Sequence, residues 1–140
     1  MTDADDRLAV ADIARSYGVA IDAFDFDALA GLFTDDAAVE YGGHPPMIGG
    51  VATAAWLSER TADTSWMQHL VTVMDVQVDG DDAACLSYFI AHTVGRADTE
   101  TVRLSVGEYR DRLRRTANGW RICDRRQYTG WKETRTRAPM

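Results

Sequence analysis

This chain has few of the residues on which metal and redox chemistry depend. Its 140 residues include two cysteines and three histidines. Neither Cys85 nor Cys123 belongs to a Cys-x-x-Cys pair, and both lie in apolar, strand-like runs. They read as buried free thiols rather than as a disulfide or a metal site. His44, His69 and His92 are scattered along the chain without a compact ligand spacing, so neither a metal nor a cofactor is expected. No apolar run approaches the roughly 18 residues that a membrane helix needs. The start, Met1-Thr2-Asp3-Ala4-Asp5-Asp6, is acidic, the opposite of a signal peptide's opening, and a cytoplasmic protein is expected. Basic residues are also outnumbered, 15 Lys and Arg against 22 Asp and Glu, a net charge of −7. That balance disfavours nucleic acid, which requires a basic footprint. The one basic cluster, Arg110, Arg112, Arg114 and Arg115, alternates along a strand pattern and reads as a solvated outer face.

What is present is enough for one core. The hydrophobic fraction is 46%, ordinary for a globular chain of this length. Leu8, Ala11, Ile13, Tyr17, Ala20, Ile21 and Phe24 recur at helical spacing and predict a helix over 5–24. A short helix is expected over 27–33, with Asp25 or Asp27 as its N-cap. Ala37 to Tyr41 reads as a strand, ended by Gly42-Gly43 and Pro45-Pro46. Gly49-Gly50 precedes a third helix over 51–61. Four long strand patterns follow, over 69–78, 83–94, 102–113 and 120–128. Asp79-Gly80-Asp81-Asp82 and Ala117-Asn118-Gly119 mark hairpin turns, with a polar turn over 95–100. Helices followed by a run of strands indicate an α+β fold.

Two residues in this order stand out. Asp22 falls near the end of the first helix, in Tyr17-Gly18-Val19-Ala20-Ile21-Asp22, and His69 lies in Gln68-His69-Leu70-Val71. An uncompensated buried carboxylate is costly, so Asp22 needs a partner. A carboxylate that orients an imidazole makes a general base near neutral pH. Tyr17 and Tyr41 could donate hydrogen bonds to a substrate oxygen, or be core aromatics with their hydroxyls at the edge. His92 could be a second proton-transfer group or a polar residue of a cavity wall. Arg125 could hold an anion, or be a surface strand residue like Arg121 and Arg126. Trp56, Trp66, Met67, Met74, Phe89 and Trp131 are candidates to line an apolar pocket. His44, among glycines and prolines, reads as a surface loop residue.

The ordered set Tyr17-x-x-x-x-Asp22, Asp27-x-Leu29, Leu32-Phe33-Thr34-Asp35-Asp36-Ala37, Tyr41, Gly49 before a helix, His69, Tyr109-x-Asp111 and Gly119-Trp120-Arg121-Ile122 resembles the nuclear transport factor 2-like superfamily, in its SnoaL-like branch. The resemblance covers nearly the whole chain. It implies a single domain over 1–140, a cone-shaped α+β barrel with three helices packed on a curved, mostly antiparallel sheet. Asp22, Tyr41, His69 and His92 match the catalytic positions of scytalone dehydratase. Asp22, His69 and Arg125 match those of hexachlorocyclohexane dehydrochlorinase, and Tyr17 with Asp22 matches bile acid 7α-dehydratase. There are departures too. Tyr41 stands where ketosteroid isomerase carries its basic aspartate, and tyrosine is a poor base at neutral pH. Tyr109 falls near a strand asparagine of scytalone dehydratase.

The resemblance implies a cofactor-free lyase of the dehydratase kind, acting on a hydrophobic, oxygenated, polyketide- or steroid-like molecule. Asp22, His69, Tyr41 and His92 would be catalytic. Tyr17, Arg125, Trp56, Trp66, Phe89 and Tyr109 would bind substrate. An isomerase or polyketide cyclase using the same base, or a non-catalytic binding or assembly module, are the alternatives. A homo-oligomer, dimer or trimer, is expected, and the alternation of Val102, Leu104 and Val106 is compatible with a pairing face.

Overall fold

A computed structural model describes residues 2–138. The elements run α1 (Asp3–Asp22), α2 (Phe26–Ala30), β1 (Phe33–Tyr41), β2 (Met47–Ile48), α3 (Gly50–Arg60), β3 (Thr64–Asp79), β4 (Asp82–Gly95), β5 (Thr101–Thr116) and β6 (Gly119–Thr136). Helix α1 begins at a capping box. The Thr2 hydroxyl accepts from the Asp5 backbone N–H at 3.1 Å, and the Asp5 carboxylate accepts from that of Thr2 at 3.0 Å. These bonds satisfy donors that would otherwise be orphaned. Val10, Ala14, Tyr17 and Ile21, spaced at helical period, are buried along one stripe. The short helix expected to reach Phe33 ends earlier, at Ala30 capped by Gly31. Phe33 pairs instead with Ile122 and opens β1.

The sheet has six strands in the order β2-β1-β6-β5-β4-β3. All neighbours are antiparallel except β1 with β6. It is curved around the helices, mostly antiparallel, and remains open because β2 and β3 are edges. Strand β2 has two residues, too few to show any periodicity, and was not foreseen. No helix among the described residues is long and apolar enough to cross a membrane.

Burial alternates along the long strands. Met67, His69 and Val71 of β3 share the concave face with Cys85, Ser87, Phe89 and Ala91 of β4. Leu70, Tyr88 and Ile90 point outward and are well exposed. Leu104 and Val106 fall in line with them on the outer face. Strand β6 carries two bulges. Leu113 pairs with Ile122 but Arg112 with Asp124, so Cys123 is the extra residue. Gly107 pairs with Thr129 but Val106 with Trp131, so Gly130 is the second. Each extra residue moves everything after it to the opposite face.

Arg110, Arg112 and Arg114 lie exposed on the outer face, as expected, but Arg115 does not. It donates to both oxygens of Asp6, at 2.9 and 2.8 Å, and to Asp81 at 3.0 Å. Its guanidinium rests 4.6 Å from the Trp120 ring centroid, and the indole N–H also donates to Asp6, at 3.1 Å. Cys85 is buried, whereas Cys123 is only half-buried, its thiol donating to the Arg112 carbonyl. Cys123 follows the inward-facing Trp120 and Ile122 out of phase, which by strand alternation keeps its thiol off the core face.

Hydrogen bonds from Arg115, then from Trp120, hold the Asp6 carboxyl below its ordinary 3.8 against the opposing effect of burial. A carboxyl lowered in the folded state contributes its stability in full above the unfolded value and loses it as pH falls through the lowered folded one. Asp6→Asn should therefore be less stable than the parent at pH 7 in urea denaturation. The gap should narrow as pH falls below the ordinary 3.8. A gap independent of pH would show that the Asp6 charge contributes nothing.

Candidate active site

Helix α1 crosses β3 closely because residue 18 is glycine; a Cβ there would sit 3.2 Å from Val71 Cγ2. This approach carries Asp22, the last residue of α1, onto the backbone of β3. Asp22 Oδ2 accepts from the His69 backbone N–H at 2.8 Å, and Oδ1 lies 2.7 Å from His69 Nδ1. A carboxylate oxygen can only accept, so Nδ1 carries a proton. In the neutral imidazole Nε2 then holds the free lone pair. The side chains of His69 and Asp22 are 12% and 24% exposed, so the pair is largely screened from solvent without being sealed.

His69 lines a cavity of about 340 Å³ between the concave sheet face, α1 and α3. Its deep end is aromatic: Tyr17, Tyr41, Phe89 and Tyr109 all contribute. The Tyr17 and Tyr41 hydroxyls are 2.6 Å apart. Phe89 stacks on Tyr109 at 4.6 Å between centroids. The Phe89 ring seats against Gly107, where a Cβ would lie 2.9 Å from its Cζ. Burial pushes all three phenols above their ordinary range, so they are neutral donors rather than bases. Trp56 closes another side, in ring contact with Tyr41 at 5.4 Å.

Behind the tyrosines lies Arg125, its side chain 1% exposed and paired with Asp111, equally buried, through two hydrogen bonds of 2.8 Å. The guanidinium carbon is 4.1 Å from each of the Tyr17 and Tyr109 ring centroids. Burial is the strongest single influence and works against the charge on Arg125, but the attraction and hydrogen bonds of Asp111, with Tyr41 and Tyr17, together hold the group well above its ordinary range. Its Nη1 is buried with no hydrogen-bond partner among the described residues.

The structure thus gathers Tyr17, Tyr41, Trp56, His69, Phe89 and Tyr109 around one cavity, with Asp22 behind His69. Other expectations are corrected. Trp66 and His92 lie on the outer sheet face, because each is out of phase with the inward-facing Met67 and Phe89 of its own strand. Met67 lines the cavity, but Met74 and Trp131 are exposed on the outside. Arg125 is neither a surface residue nor part of the cavity wall. His44 is exposed on its loop, as expected, yet its ring rests 4.9 Å from that of Trp56 and borders the cavity. Thr93, Ser105, Gln127, Thr129, Arg60 and Lys132, none of them anticipated, also line it. Ser105 follows from Tyr109 by strict alternation, and Gln127 and Thr129 follow from Arg125. Lys132 could not be found that way, because the Gly130 bulge resets the phase. No group of three or more His, Cys, Asp or Glu side chains among the described residues is placed to hold a metal ion.

Comparison with known proteins matches residues 2–126 to the SnoaL-like domain. The uncharacterised protein Rv2910c of Mycobacterium tuberculosis (strain ATCC 25618 / H37Rv) is 31% identical over 125 residues, covering 86% of this chain and 82% of the relative. Among solved structures, the Kfla4162 protein of Kribbella flavida superposes with a TM-score of 0.86 at 24% identity, covering 94% of this chain and 95% of the other. A scytalone dehydratase-like protein of Novosphingobium aromaticivorans gives 0.81 at 19% identity, with 95% and 91% coverage. A type 2 hexachlorocyclohexane dehydrochlorinase, LinA, gives 0.83 at 16%, with 97% and 95%. At these identities the structural likenesses show the fold.

Proposed function

We propose, for a chain that belongs to the SnoaL-like domain family, a cofactor-free lyase that removes water from a hydrophobic, oxygenated small molecule. The observation that carries this reading is the Asp22–His69 pair on the cavity wall. The imidazole's Nδ1 edge is committed to Asp22, which leaves Nε2 as the base. Two of the structural neighbours bear the names of eliminating enzymes, a dehydratase and a dehydrochlorinase. An open cavity beside a paired imidazole also favours an enzyme over a binding or assembly module.

In this reading Nε2 takes a proton from the carbon next to a carbonyl. The C–H electron pair becomes the C=C bond as the C–O bond to the neighbouring hydroxyl breaks. The imidazolium returns its proton to the departing hydroxide, so water and an unsaturated carbonyl compound leave. His92 is on the wrong face to assist, and Arg125 lies behind the tyrosine rings, so the proton comes back from His69 itself. The Tyr17 and Tyr41 hydroxyls share one hydrogen bond between them, which leaves one O–H proton to point at the substrate oxygen. That donor stabilises the negative charge developing there. Asp22 fixes the imidazole's tautomer and orientation.

The test is product mass with a panel of aromatic and alicyclic β-hydroxy ketones. Elimination yields a product lighter by one water. A product of unchanged mass would replace this reading with isomerisation or cyclisation, and no consumption of any panel member would favour the binding module.

A further inference from the structure

The cavity holds a pair of cations that elimination does not use. Arg60 and Lys132 both line it, both are exposed, and no Asp or Glu is among the lining residues. Arg60 lies over the Trp56 ring at 4.7 Å. Among the described residues neither cation forms a salt bridge, whereas Arg110, Arg114, Arg115, Arg125 and Arg126 all do. In a chain of net charge −7, unpaired cations sharing one cavity make a local field opposite to that of the whole.

The register places Lys132 relative to the base. His69 pairs with Ala91, Ala91 with Ser105, and Ser105 with Lys132, a single row across four strands on the concave face. Three strand spacings separate its ends by about 14 Å of backbone, and both side chains reach inward from there. Lys132 stands in that row because Gly130 is extra; in strict alternation from Thr129 the position would fall to Trp131. Next to it in the wall are Ser105 and Thr129, hydroxyl donors of the kind that complete a carboxylate site.

We propose that the substrate carries a carboxylate, held at the cavity mouth by Lys132 and Arg60, several bonds away from the carbons that His69 addresses. This carboxylate defines the substrate class of the site proposed above and rests on that reading, since the cavity is the same. A non-reactive ligand tests it separately. 2-Naphthoate and its neutral isostere 2-naphthamide have no hydroxyl to eliminate, so their binding reports on the mouth alone, whatever the chemistry proves to be.

By isothermal titration at low salt, the parent should bind naphthoate about tenfold more tightly than naphthamide. Lys132→Gln and Arg60→Gln should each cut that preference about threefold, and the double variant should abolish it, with naphthamide affinity unchanged. Raising salt from about 0.02 to about 0.5 M should erode the parent's preference in the same way. Both residues are exposed, so unchanged circular dichroism is expected of the variants. Equal affinity for the two ligands in the parent, equal losses for both in the variants, or no naphthoate binding would each overturn the proposal. A retained preference alongside no elimination of any hydroxy ketone would leave the carboxylate site standing and remove the lyase reading.

Discussion

His69→Ala should lower kcat on an accepted β-hydroxy ketone by about 10²–10⁴-fold, the range for loss of a positioned general base. The fold should be undisturbed, because His69 packs at the cavity wall rather than in the core. Asp22→Asn should cost nearly as much for a different reason. The carbonyl oxygen of the new side-chain amide can still accept the His69 backbone N–H, now made to Asp22 at 2.8 Å. Its NH₂ group would then face Nδ1 as a donor, which favours the tautomer with the proton on Nε2. The imidazole would stay in place with no lone pair to offer, as in tautomer-inverting substitutions of catalytic triads. Asp22→Ala is the harsher change, since a largely buried backbone N–H loses its acceptor, at about 1–3 kcal/mol. Steady-state kinetics on His69→Ala and Asp22→Asn, with thermal melts as the folding control, decide the matter. Near-parental kcat in both would remove the base assignment.

Asp111→Ala should be among the most destabilising single substitutions available in this chain. It would strand the Arg125 guanidinium, 1% exposed, in the centre of the molecule without its counter-charge. Breaking a buried pair from one side typically costs about 3–5 kcal/mol, against a total of about 5–15 kcal/mol for a domain. Removing both charges together, as in Asp111→Leu with Arg125→Met, should recover much of the loss, because the desolvation penalty disappears with them. Urea denaturation of Asp111→Leu, Arg125→Met and the double variant supplies the thermodynamic cycle. A cost below about 1 kcal/mol for Asp111→Ala would mean that water reaches the pair. Tyr17 and Tyr109 should lose their fixed ring positions in the same variants, since both rings lie against the guanidinium at 4.1 Å.

The helices and long strands were legible because apolar residues recur at helical or strand spacing over most of their length and their turns carry glycine, asparagine and aspartate. The meeting of Asp22 with His69 was legible for a chemical reason: a carboxylate flanked by apolar residues needs a partner. Trp66 and His92 were misplaced for want of a rule the sequence does obey. Adjacent residues of a strand face opposite ways, so Trp66 and Met67 cannot both enter one cavity, and neither can Phe89 and His92. Arg125 was harder. By alternation from Ile122, the inward position is Asp124, and only the extra Cys123 turns Arg125 inward. Lys132 was hidden by the same device at Gly130. A two-residue strand such as β2 has no period to read.

Those two irregularities in β6 make its sequence a text with shifting frame. Residues 120 and 122 are read inward in one frame, 125, 127 and 129 in a second, and 132 in a third. Both cations that β6 turns toward the centre, the buried one and the one at the mouth, follow a frame shift. A relative lacking either extra residue would present the neighbouring position to its cavity while remaining superposable in backbone. Gapless pairing of such a relative with this chain would equate an interior residue with a solvent-facing one. Inward-facing positions along this strand are therefore comparable between relatives only after frames have been matched through the hydrogen-bond ladder.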